Sequence, residues 1–250
     1  MTNMLEIKHL TVATNGKEIL HDLNLEIGLG ETHALFGRNG SGKTTLLMAM
    51  MGLGGYEVVQ GTIRFKGEEI THLPTYERAR MGIGIAFQRP PTIHGLKTRD
   101  MVNIASANGL DAEALAERLE MRDFLDRDIN AGFSGGEIKR SELLQLLAQK
   151  PELIMLDEPD SGVDLESVRL LGDVVKELLQ KDLPPHERQK SGLIITHSGF
   201  ILDYVEADRG HVLSNGTLAC SGIPRELLST IRTMGYEECE RCQLRRLQES

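Results

Sequence analysis

The 250-residue sequence predicts an α/β fold with a mostly parallel central sheet. Two continuous apolar runs, Leu153-Ile-Met-Leu156 and Leu193-Ile-Ile-Thr196, carry the mark of strands covered on both faces. Glu166 to Lys181 reads as a helix between them. A third apolar run, Thr32 to Phe36, enters a glycine-rich stretch, and from Thr44 to Met51 helix formers follow without a breaker. Strands alternating with helices imply parallel pairing.

The remaining elements follow from period and turn chemistry. Leu5 to Leu10 alternates apolar and polar residues, Asn15-Gly16 is a hairpin signal, and Ile19 to Ile27 resumes the alternation. Gly61 to Phe65 and Gly82 to Phe87 read as further strands. From Thr98 to Gln149 the spacing turns helical, with Asp111 a suitable N-cap for the stretch to Leu119. Asn215-Gly216 suggests a closing hairpin. The expected organisation is one domain over 1–250, with a core formed by 1–90 and 150–235, a helical subdomain over 91–149 and a tail over 236–250. That tail is charged and Gln-rich, and its period leaves a short helix and disorder both open.

Composition narrows the function. Apolar residues make up 40 %, enough for a large core, while aromatics are 4 % and Trp is absent, so the core is aliphatic. The net charge of −9 disfavours a general nucleic-acid binder or an anionic-membrane binder, each of which needs a basic face. No apolar run reaches the length of a membrane span, and the start lacks a basic region followed by an apolar stretch. The three cysteines, Cys220, Cys239 and Cys242, are too few for a disulfide framework. The expectation is a cytoplasmic protein with no membrane insertion.

Two segments carry chemistry. Gly37, Arg38, Asn39, Gly40, Ser41, Gly42, Lys43 and Thr44 fit the phosphate-loop pattern, in which glycines let backbone N–H groups turn inward around phosphate oxygens. The helix that follows adds the positive end of its dipole. Lys43 is expected to reach the β- and γ-phosphates of a nucleotide and Thr44 to ligate Mg²⁺, with Thr45 next along the same helix. The second segment is the apolar strand that ends in Asp157 and Glu158. That strand is expected to lie beside the one feeding the phosphate loop, so that both ends reach the edge where open α/β sheets bind ligands. Asp157 can then hold Mg²⁺ through water, and Glu158 can act as general base toward the attacking water.

Further segments resemble the ATP-binding-cassette (ABC) ATPases. Gly132-Phe-Ser134-Gly135-Gly136-Glu137 resembles the signature of that family, and it lies just upstream of the acidic strand. Gln88 resembles the Q-loop glutamine, Ser161-Gly-Val-Asp164 the D-loop, and His197 the switch histidine, all in family order. The resemblance covers Leu5 to Gly235. It implies a RecA-like core sheet, an antiparallel β subdomain and an α-helical signature subdomain. It also implies Mg-dependent hydrolysis of ATP between two copies, with Ser134, Gly135 and Gly136 of one chain meeting the γ-phosphate held by the other. Asp164 would lie at that contact, Gln88 would touch Mg²⁺ and the attacking water, and His197 would hydrogen-bond the γ-phosphate.

Gly132 to Arg140, Leu143 to Leu146, Asp160 to Asp164 and Ile201 to Tyr204 resemble the SufC branch, the ATPases of the SUF iron–sulfur cluster system, and that resemblance implies SufB-like and SufD-like scaffold partners. The alternative is the ATP-binding subunit of a transporter coupled to a membrane permease. Three further expectations attach to single residues. Lys139, on the signature helix, could pair with Glu158. Val12 to Gly16, where the family usually stacks adenine, contains no aromatic residue. Cys239 and Cys242 form one Cys-x-x-Cys pair, which supplies two metal ligands where structural zinc sites and clusters use four.

Overall fold

The computed structural model describes residues 3–106 and 111–238. The chain opens with β1 (Asn3–Thr14) and β2 (Lys17–Gly28), joined at Asn15-Gly16. Both turn residues have positive φ, 49° and 76°, as a two-residue hairpin with the right twist requires. β3 (Thr32–Phe36) leads into α1 (Lys43–Met51). β4 (Glu57–Phe65), β5 (Glu68–Glu69), α2 (Thr75–Met81) and β6 (Ile83–Ala86) follow. Next come β7 (Ile93–Lys97), α3 (Thr98–Ala105), α4 (Ala112–Arg118) and β8 (Asp128–Ile129). Asp111 caps α4, accepting from the amides of Glu113 and Ala114. α5 (Gly135–Gln149), β9 (Leu153–Asp157), α6 (Leu165–Leu178) and β10 (Ser191–Ile195) follow in turn. The described chain ends with the hairpin β11 (Arg209–Ser214) and β12 (Thr217–Gly222), then α7 (Pro224–Met234).

The strands form a six-stranded sheet in the order β12-β11-β3-β10-β9-β6 and an antiparallel sheet in the order β2-β1-β4-β5. From β11 to β6 every pairing in the large sheet is parallel. Its strands alternate between two cores. Ala34, Phe36, Ile154, Leu156 and Ile194 face the core that includes residues of α5 and α6, while Leu35, Leu153, Met155, Leu193 and Ile195 face the one that includes α1 and the antiparallel sheet. Burial on both faces is why these strands read as unbroken apolar runs.

Two sequence expectations need correction. The acidic strand β9 does not lie beside β3: β10 sits between them. Nothing in the two strand sequences fixes their order, because both are buried on both faces and either could take the central place. The second concerns the stretch from Ile93 onward, which is not purely helical. β7 and β8 pair antiparallel at its base, a ribbon too short to leave a period.

Two buried histidines join β3 to β11. His33 Nε2 lies 3.0 Å from Glu31 Oε2, His33 Nδ1 lies 3.0 Å from His211 Nε2, and His211 Nδ1 lies 2.7 Å from Ser221 Oγ. Burial holds His33 below its ordinary 6.5. Burial first, then the neighbouring His33 and Arg209, takes His211 down to about 3. The unfolded chain therefore binds protons at these sites where the folded chain does not. Their effect is absent above pH 6.5, and stability falls as pH drops below it, for His211 down to about pH 3. The expected loss is about 1.4 kcal/mol per pH unit for each histidine affected. Urea unfolding at stepped pH should show this slope, and His211→Gln should flatten it; an equal slope in that variant would contradict the assignment.

Candidate active site

The parallel strands bring four chain segments to one edge of the large sheet. Gly37 follows β3, Asp157 and Glu158 close β9, Thr196 and His197 follow β10, and Phe87 and Gln88 follow β6. A cleft at this edge is lined by Thr14, Ile19, Asn39, Gly40, Gly42, Lys43, Thr44, Thr45, Gln88 and Glu158.

The loop from Gly37 to Gly42 closes on itself around Lys43, whose Nζ donates to the carbonyls of Gly37 at 2.7 Å and Arg38 at 3.1 Å. Two of its glycines are required by geometry. At Gly37 a Cβ would stand 2.5 Å from the Leu213 carbonyl, and Gly42 holds φ 107° with Leu20 against it. Lys43 is 6 % exposed, and burial lowers its pKa, against the raising effect of Glu158 and Asp157. Ser41 Oγ is buried in the loop without a hydrogen-bond partner among the described residues. Arg38 contributes its carbonyl, while its guanidinium is exposed, 3.8 Å from Glu237.

The Thr44 hydroxyl donates to Asp157 Oδ2 at 3.1 Å, joining the start of α1 to the end of β9. Burial pushes the Asp157 carboxyl up, with the nearby Glu158 adding to it, while the Thr44 hydrogen bond pulls it down. Glu158 is 5 % exposed and holds φ 49°, an uncommon conformation for a residue with a side chain. Its N–H donates to Ile195 O at 3.0 Å, which ties β9 to β10. Its carboxylate accepts from Gln88 Nε2 and lies 3.3 Å from His197 Nδ1. The intervening β10 is therefore what brings His197 between the phosphate loop and the acidic pair.

Around His197 lies a network that the sequence did not suggest. Asp160, 6 % exposed, accepts from the Thr196 and Ser198 hydroxyls and from the Ile201 N–H. The residues on both sides of His197 are thereby fixed to the segment after Glu158. Thr14 and Ile19 were also missed as cleft residues. They face the phosphate loop from the hairpin, a position that depends on how the two sheets pack. Among the described residues no aromatic lines this cleft.

Lys139 does not pair with Glu158. Its ammonium, 5 % exposed, donates to the carbonyls of Phe87, Gln88 and Asp157 at 3.1, 3.1 and 3.3 Å. Glu158 meanwhile turns toward Gln88 and His197. Ser134 and Gly135 are exposed at the start of α5, outside the cleft. Ser134 and Glu137 form a capping box there, and a Cβ on Gly135 would meet the Gly162 carbonyl at 2.7 Å. Asp164 caps α6, accepting from the Ser167 N–H at 2.9 Å and the Ser167 hydroxyl at 2.8 Å. Cys239 and Cys242 lie outside the described residues. Cys220 is on β12, and His72, His94 and His186 are exposed.

A glycine loop between a parallel strand and a helix N-terminus, facing an acidic strand end, defines a phosphate-loop nucleotide-binding protein. Comparison with known proteins narrows the class. The family model described as ABC transporter matches residues 20–161. The chain is 38 % identical over 249 residues to the probable ATP-dependent transporter SufC of Escherichia coli, covering 93 % of this chain and 97 % of that one. It is also 38 % identical to the probable ATP-dependent transporter slr0075 of Synechocystis, covering 94 % of each chain. A nucleotide-free ATP-binding cassette from an ABC transporter superposes with a TM-score of 0.76 at 23 % identity, over 95 % of this chain and 98 % of that one. This chain belongs to the ABC ATPase family, whose activity is ATP hydrolysis, and it resembles SufC.

Proposed function

We propose that the chain is a SufC-like ATPase subunit that binds Mg-ATP at Gly37–Thr45 and hydrolyses it when two copies close. The observation that carries the reading is the convergence of Gln88 and His197 on Glu158, beside Lys43 and Thr44. Lys43, relieved of its two carbonyl partners, would neutralise the β- and γ-phosphates, and the unpartnered Ser41 hydroxyl is available to a phosphate oxygen. Glu158 takes a proton from a water whose oxygen attacks the γ-phosphorus, and the bond to the bridging oxygen breaks to release ADP. Gln88 orients that water and His197 donates to the γ-phosphate. The oxygen donors of Thr44 and Asp157 suit Mg²⁺, which prefers hard ligands. Magnesium held there would offset the phosphate charge. Gln88 is its third proposed neighbour. The exposed Ser134 and Gly135, with the half-buried Gly136, then bring the N-terminus of α5 to the nucleotide of the second copy, with Asp164 at the contact.

The proposed partners are SufB-like and SufD-like scaffold proteins in the cytoplasm, which two closing subunits would move during iron–sulfur cluster assembly. The likeness to SufC over almost the whole chain supports this. The second reading, a subunit driving a membrane permease, has support in a 38 % identical relative from Streptococcus pyogenes named a probable ABC transporter ATP-binding protein. Among the described residues no helix is long and apolar enough to cross a membrane. Affinity capture of the tagged chain from its native cell separates the two readings. Water-soluble scaffold proteins are the expected catch; a polytopic membrane protein in their place would overturn the SufC-like assignment.

A further inference from the structure

Side chains of α5 grip the backbone at the end of β6, where Gln88 begins. The Phe87 N–H donates to Glu142 Oε2 at 2.9 Å, and Lys139 Nζ holds the Phe87 and Gln88 carbonyls from the other side. Lys139 and Glu142 are three residues apart and so share one helix face. The Gln145 amide donates to the other Glu142 oxygen at 3.3 Å, which leaves Oε2 aimed at the Phe87 amide. Glu142 is 7 % exposed and, among the described residues, makes no ion pair. Burial pushes its carboxyl up to about 7. Burying a carboxylate is costly, and simple packing at this point would be served by a leucine. What Glu142 adds is a strong acceptor directed at one peptide N–H.

We infer that Glu142 is a positioning residue, which fixes the Phe87–Gln88 peptide against α5 so that the Gln88 amide reaches Glu158. This rests on the proposed roles of Gln88 and Glu158. It also gives α5 two tasks. Its first turn presents Ser134, Gly135 and Gly136 to the nucleotide of a second copy, while two turns later Glu142 holds Gln88 in its own site. Docking of α5 and alignment of Gln88 are then coupled through one rigid helix.

The test compares Glu142→Leu, Glu142→Gln and Glu142→Asp in the full chain. Glutamine keeps a carbonyl at the right reach, aspartate keeps the charge but falls a methylene short, and leucine keeps only volume. With leucine, the Phe87 amide should exchange with deuterium about tenfold faster, and kcat should fall about tenfold or more while KM for ATP stays within about twofold. Glutamine should recover most of kcat and of the exchange protection, and aspartate should recover neither. If the leucine variant does not fold, the order of glutamine over aspartate decides. Aspartate matching or exceeding glutamine would overturn the inference, as would a folded leucine variant with parental kcat or an unchanged Phe87 amide. Should the parent itself fail to hydrolyse ATP, the proposed function falls, and the exchange comparison still decides whether Glu142 holds the Gln88 peptide.

Discussion

Glu158→Gln is expected to lower ATP turnover by about 10²–10⁴ while leaving nucleotide binding intact. The substitution keeps shape and removes only the basicity. Glutamine can still face the Gln88 amide and His197, which the glutamate contacts at the end of β9. Its backbone keeps the 3.0 Å bond to Ile195 and the same turn at φ 49°. A site that binds ATP but cannot take the proton from water holds two copies closed around unspent nucleotide. Light scattering with ATP should therefore report a dimer in this variant that outlasts the one formed by the parent. Parental turnover in Glu158→Gln would show that another group removes the proton.

Lys43→Met is expected to weaken ATP binding by about 100-fold, a loss of about 2.7 kcal/mol of charge-assisted contact with the phosphates. The effect on the protein without nucleotide should have the opposite sign. Lys43 is buried, burial disfavours its charge while Glu158 and Asp157 favour it, and among the described residues its ammonium donates to the Gly37 and Arg38 carbonyls. A methionine of similar length removes a buried cation whose desolvation outweighs the pull of those two carboxylates. The nucleotide-free variant should therefore melt at the parental temperature or above it, while the rise in melting temperature on adding Mg-ATP disappears. A variant that melts lower without nucleotide would mean that Lys43 supports the loop itself; one that keeps the Mg-ATP shift would remove the lysine from the site.

Much of this was legible in the sequence, and for local reasons. The phosphate loop reads directly because its glycines, lysine and threonine act within eight consecutive residues. The hairpin at Asn15-Gly16 and the cap at Asp111 are also short-range, fixed by the conformations those side chains allow. The double-sided burial of β9 and β10 shows as composition alone.

What the chain could not state was which distant segments become neighbours. The position of β10 between β3 and β9 places His197 3.3 Å from Glu158, and apolar strands of similar length carry no label for their order. Packing of α5 on the end of β6 sends Lys139 to three carbonyls instead of to Glu158 and turns Glu142 onto the Phe87 amide. Asp160 gains its place around Thr196 and Ser198 in the same way, across 36 and 38 residues. Sequence alone determined the chemistry available at each strand end, because that chemistry resides in contiguous side chains. Tertiary structure decided which groups face each other, because a buried polar atom takes the partner that packing brings within about 3 Å.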